Sequence, residues 1–145
     1  METYNQLTED QRDQLRKFPA YISLLAATYH NKGMDEKEKQ TAIEFTHVKT
    51  FKREPLLVDF YTDVEKDFEQ TLTLLNNSLP EEKGAREEAI RVELEKLEKI
   101  LVHLGTDYAK ALHKSMDSYR DHVAHSHQSV LETFIFPIPI KGLTY

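Results

Sequence analysis

Hydrophobic positions recur at steps of three and four over most of the chain, and no segment shows a convincing strand pattern. Leu57, Phe60, Tyr61, Val64, Phe68, Thr71, Leu72 and Leu75 form one amphipathic stripe, which predicts a helix over 55–77. Ile90, Leu94, Leu97, Leu101 and Leu104 form a second, at spacings of 4, 3, 4 and 3. Tyr108, Leu112, Met116, Tyr119, Val123 and Val130 mark the apolar face of a last helix reaching about residue 133. From Ala20 to Ala27 apolar side chains point in nearly every direction instead, so the helix predicted over 18–30 is surrounded by others and sits at the centre of the core.

Capping and breaking residues divide these helices. Thr8 with Gln11 makes a capping box for a short helix over 9–17, and Pro19 places the next helix start at Phe18. Asn31-Lys32-Gly33 is a break, after which Asp35 and Glu38 cap a helix running to about residue 53, where Pro55 stops it. Ser78 and Glu81 repeat the capping box with Pro80 in the first turn, and Gly105 ends or kinks the helix that follows. Pro137 and Pro139 forbid a helix in Phe134-Ile-Phe-Pro-Ile-Pro-Ile140. The expected fold is all-α, a compact bundle of five or six helices over 1–133, with an extended apolar strap over 134–145.

Composition narrows the functional classes. The 145 residues suit one domain, and the absence of cysteine removes disulfides, zinc ribbons and thiol nucleophiles. With 19 Lys and Arg against 25 Asp and Glu, the net charge of −6 argues against a nucleic-acid partner, since phosphate binding relies on clustered cations. The longest uncharged run, 18–31, falls short of the about 20 apolar residues that a membrane span needs. Residues 1–10 are polar and acidic, unlike a secretory signal, so the expected location is the cytoplasm.

The stretch Leu24-Leu-Ala-Ala-Thr-Tyr-His-Asn31-Lys-Gly33-Met-Asp35-Glu-Lys-Glu38-Lys-Gln-Thr-Ala-Ile43 resembles the helix–loop–helix of the tellurite-resistance TerB-like family. The resemblance covers residues 18–53. It implies a buried alanine-rich helix, a loop, acidic residues at the start of the next helix, a stress-related role and a cation site. On this chain that site would draw on Asn31, Asp35 and Glu38, with Asn31 standing where the family usually has an acidic residue. Read from the residues alone, the same three form a loop and a helix N-cap.

Histidine is the other feature with chemical content, since the chain has seven. Glu44-Phe-Thr-His47 puts a carboxylate and an imidazole at i, i+3, the spacing of di-iron carboxylate bundles, but no second Glu-x-x-His accompanies it. His47 lies one turn from Ile43 and from Phe51, on a face expected to be buried. His122 flanks the apolar face of the last helix, so Glu44, His47 and His122 form a candidate divalent-metal set, the one cofactor class the sequence suggests. His113, Asp117, Asp121 and His125 recur every four residues opposite that apolar face and read as a solvated stripe.

No Gly-x-Ser-x-Gly elbow, glycine-rich phosphate loop or thiol is present, and catalysis is not the favoured reading. The favoured one is a protein–protein interaction or scaffolding module, with a protein partner or a second copy of the chain in a homodimer. Its contact residues would be Phe134, Phe136, Ile138 and Ile140, each worth roughly 1.5–3 kcal/mol when buried. The strap packs either on its own bundle or across a two-fold axis.

Overall fold

The computed structural model describes residues 3–28, 34–51 and 54–125, and every regular element among them is helical. In chain order these are α1 (Glu9–Leu15), α2 (Phe18–Thr28), α3 (Glu36–Phe51), α4 (Val58–Ser78), α5 (Lys83–Leu101) and α6 (Gly105–Ala124). Short 3₁₀ turns at Tyr4–Gln6, Pro55–Leu57 and Val102–Leu104 precede α1, lead into α4 and join α5 to α6. The expected strap, with Phe134, Phe136, Ile138 and Ile140, lies outside the described residues, as do Asn31 and the end of the predicted last helix.

Helix α2 packs against α4, α5 and α6, and α3 closes the bundle by packing on α4 and α6. Its central place follows from its composition. Phe18, Ala20, Leu24, Ala26 and Ala27 are all buried, and small alanines let neighbouring helices approach on several sides. Two hydroxyls in this apolar setting are satisfied one turn back, Ser23 Oγ donating to the Pro19 carbonyl at 2.8 Å and Thr28 Oγ1 to the Leu24 carbonyl at 2.7 Å.

The amphipathic stripes of α4, α5 and α6 deliver Phe60, Tyr61, Val64, Phe68, Leu72, Ile90, Leu97, Leu101, Tyr108, Leu112, Met116, Tyr119 and Val123 into one core cluster. Helix α4 leaves regular geometry at Asp67 (φ −144°, ψ 25°). There the Arg16 guanidinium bridges Asp67 at 3.3 Å and Asp13 at 3.2 Å, tying α1 to the break.

Two of the three expected capping boxes form. Thr8 Oγ1 accepts from the Gln11 backbone N–H at 3.1 Å while Gln11 Oε1 accepts from the Thr8 N–H at 2.9 Å. Asp35 and Glu38 exchange the same pair at 2.8 and 3.0 Å. The third does not form: α4 continues through Ser78, Leu79 is extended ahead of Pro80, and α5 starts at Lys83. Its cap is Glu82, whose carboxylate accepts from the Gly84 and Ala85 N–H groups and is thereby held below its ordinary pKa. Gly105 takes φ 87°, which turns the chain from α5 into α6 as its position between two stripes suggests.

An N-terminal clamp precedes α1. The Tyr4 hydroxyl donates to Asp63 at 2.9 Å and Asn5 Nδ2 to Asp59 at 2.7 Å, while the Tyr4 ring meets Phe60 edge-on. Arg12 Nη1 holds the same segment by donating to the Leu7 carbonyl at 2.6 Å.

Candidate functional site

The face of α3 turned to the core is not the one its hydrophobicity marks. Glu38, Ala42 and Thr46, four residues apart, are buried, whereas His47 is exposed with 65% of its side chain accessible. The expectation of a buried His47 is therefore corrected. Its Nδ1 lies 3.5 Å from Glu65 on α4, at the rim of the helix pair. Ile43 is only half-buried.

Glu44, His47 and His122 do not converge. Glu44 is exposed and accepts from Gln40 Nε2 at 3.3 Å, along its own helix. His122 packs on Phe45, with ring centroids 3.9 Å apart and planes tilted by 30°, and its Nδ1 lies 3.0 Å from the Ser118 carbonyl. That contact requires Nδ1 to carry the proton in the neutral ring, because a carbonyl only accepts. Asp35 and Glu38 spend one oxygen each on the α3 cap. Among the described residues no three His, Cys, Asp or Glu side chains are placed to hold a metal ion. His113, Asp117, Asp121 and His125 are exposed, as the sequence pattern indicates.

What α3 does bring to the core is a hydroxyl. Thr46 Oγ1 donates to the Ala42 carbonyl at 3.0 Å and accepts from the Tyr119 hydroxyl at 2.8 Å. The Tyr119 ring stacks parallel to Tyr61, 6.4 Å between centroids, and meets Phe45 edge-on at 4.8 Å. The Tyr61 hydroxyl in turn shares a hydrogen bond with Ser115. Three helices are thus joined by buried hydroxyls within an aromatic cluster. Burial pushes the Tyr61 hydroxyl up to about 12 and drives Tyr119 well above the ordinary tyrosine value. Tyr108 and Tyr4 are raised for the same first reason, with Asp59 adding to Tyr108 and the bond to Asp63 adding to Tyr4.

A second polar assembly lies at the turn between α4 and α5. Arg86 is 2% exposed, and its guanidinium donates to the Asn76 and Pro80 carbonyls and to Asn76 Oδ1. Asn76 also brackets Met34, accepting from its N–H at 3.1 Å and donating to its carbonyl at 3.3 Å. All the acceptors on Arg86 are amide oxygens, and burial pulls its pKa down. The node fastens the start of α3 to the end of α4 and the first turn of α5. Arg86 sits on the α5 stripe four residues before Ile90, a spacing that marks its face although its charge hides its burial.

A cleft of about 230 Å³ opens at the elbow between α5 and α6, lined by Glu98, Leu101, Val102, Gly105, Thr106 and Ala109. Its floor is apolar. On one rim Glu98 lies 2.8 Å from His113 Nε2, an ion pair when that imidazole is protonated. Ligand pockets run from roughly 300 Å³ upward, so this volume suits an anchoring side chain better than a whole cofactor.

The chain matches no protein-family model, no curated protein and no solved structure in comparison. No described helix is long and apolar enough to cross a membrane.

Proposed function

We propose that this chain is a protein–protein interaction or scaffolding module of the cytoplasm, with a homodimer as its simplest assembly. The observation that carries the reading is the run 134–140, in which five large apolar side chains and two prolines follow the last helix. Left in water, each of those side chains would forgo roughly 1.5–3 kcal/mol, so a covering surface is expected. The described helices already bury a contiguous core drawn from Tyr4 to Val123, and that cluster takes up the stripes of α4, α5 and α6. The prolines keep the run from pairing as a sheet edge while leaving its side chains available to a partner.

The relation to the TerB-like family over 18–53, and with it a stress-related role, belongs to the same proposal. It is supported by the buried alanine-bearing α2 and the reciprocal Asp35/Glu38 cap of α3. The metal-binding alternative has less support, because Glu44, His47 and His122 each engage a different neighbour.

The test is truncation after Thr133, with light scattering for mass and circular dichroism for folding. A full chain that associates and a truncated chain that stays helical but falls to monomer mass is the expected outcome. A full chain that is monomeric over the accessible concentration range and retains no protein from its native extract overturns the reading.

A further inference from the structure

The cleft at the α5–α6 elbow combines an apolar floor with one charge. Leu101, Val102 and Ala109 make the floor, and Val102 stands 78% exposed at its edge. Among the lining residues Glu98 is the one that carries charge. The two helix ends that meet here are each offset by their own sequence, Lys99 in the last turn of α5 and Asp107 in the first turn of α6. The sign of the cleft is therefore set by Glu98. Its carboxylate is not used up by its neighbour: both oxygens lie close to His113, at 3.0 and 2.8 Å, but they face a single ring nitrogen, Nε2. A carboxylate offers about four acceptor positions, and a neutral imidazole supplies one N–H and no charge. With 48% of the Glu98 side chain accessible, its remaining positions are open to a second donor.

Volume sets the size of the occupant, and charge sets its kind. About 230 Å³ holds one long side chain and no more. A leucine or phenylalanine would fit the floor, but it would press apolar atoms against the Glu98 carboxylate and strip its water without replacing it. An arginine lays its methylenes on Leu101, Val102 and Ala109 and carries its guanidinium out to the rim. There the planar head, with its fork of donors, can bond the free edge of Glu98 and the hydroxyl oxygen of Thr106 together. An ammonium is a more strongly hydrated point charge and gains less from a site that is half apolar. The net charge of −6 on the whole chain draws in the same class of partner from a distance.

We infer that the α5–α6 cleft is an anchor site for a single arginine side chain presented by a protein partner, with Glu98 as its counter-charge. The inference rests on the interaction reading above and deepens it by naming the chemistry of the partner's contact. That contact is an exposed arginine on a basic or neutral surface, seated stem first between the two helices.

The test is a titration of the isotope-labelled full chain at neutral pH with Nα-acetyl-argininamide, followed by amide resonances. Two further compounds separate charge from stem: Nα-acetyl-citrullinamide, the neutral isostere, and Nα-acetyl-norleucinamide, the bare apolar stem. The expected result is saturable shifts centred on Glu98, Val102, Gly105 and Ala109, with half-saturation at roughly 1–20 mM, as one side chain alone supports. The arginine compound should bind at least about threefold more tightly than either of the others, in keeping with one partly exposed charge pair. Glu98→Gln should remove that preference while the amides of Leu24, Ala26 and Ala27 stay in place, which shows the core intact. Shifts that never saturate, shifts spread over the acidic surface, or equal affinities for the three compounds overturn the inference. So does a preference that survives Glu98→Gln. A chain that binds the arginine compound yet never associates and retains no protein keeps the arginine site and loses the interaction reading. One that associates but shows no preference for arginine loses the site alone, so the two fail separately.

Discussion

Helix α6 meets α3 and α4 through Tyr119 and Ser115, whose hydroxyls are bonded to Thr46 and Tyr61, and meets α5 through Gly105, Ala109 and an exposed His113–Glu98 contact. The first seam is filled by aromatic rings, and the bonded pairs Thr46–Tyr119 and Tyr61–Ser115 favour one geometry for it. The second has small side chains, a cleft and a surface ion pair, and tolerates change at little cost. One helix therefore carries both a contact fixed by bonded buried hydroxyls and a contact made of small side chains beside a cleft. Specification comes from buried polar groups with matched partners, and room comes from leaving side chains small.

The largest contrast should come from alkaline pH. Tyr4, Tyr61, Tyr108 and Tyr119 keep their protons in the folded state above the point, near 10, at which unfolded tyrosine loses them. The folded chain then binds more protons than the unfolded one, so stability is full below about pH 10 and falls as pH rises through the raised values. Urea unfolding at pH 8 and pH 11 checks this, and an unchanged midpoint would contradict the burial of the ring hydroxyls.

Thr46→Val should cost about 1–3 kcal/mol, because it leaves the Tyr119 hydroxyl buried without its acceptor. Adding Tyr119→Phe should then restore part of the loss, with a coupling of about 0.5–3 kcal/mol in a double-mutant cycle. Strict additivity would mean that this bond does not specify the seam. On the other side, Glu98→Gln should change stability by no more than about 1 kcal/mol, and the change should fade in high salt. A larger, salt-insensitive loss would show the α5–α6 seam to be as tightly specified as its counterpart, and the comparison would collapse.

The two seams also differ in how far the sequence reveals them. The stripes of α4 and α6 are legible because Phe60, Val64, Phe68, Leu112 and Met116 are apolar and helically spaced. The buried face of α3 escapes that reading, since Glu38 and Thr46 are polar and only their four-residue spacing with Ala42 betrays it. Hydrophobicity favours Ile43 and Phe51 there, and on that basis predicts a buried His47 and the Glu44–His47–His122 set. Arg86 was hidden in the same way. A guanidinium can be buried when carbonyls collect around it, and those carbonyls belong to a turn whose shape is set by Pro80 and by the end of α4. Caps were legible where a single box was on offer. At the α4–α5 turn, where Ser78, Glu81 and Glu82 all offer cap chemistry, Ser78 falls in the last turn of α4 and Glu82 is the cap.

The position of α2 has a consequence for measuring this protein. A helix enclosed by α4, α5 and α6, with its own hydroxyls bonded internally, exposes its amides to solvent only when the surrounding helices separate. Deuterium uptake at Leu24, Ala26 and Ala27 therefore tracks opening of the whole bundle. Those three amides form an intrinsic gauge of global stability, against which any ligand, partner peptide or substitution can be ranked by the slowing or quickening of a single isotope exchange.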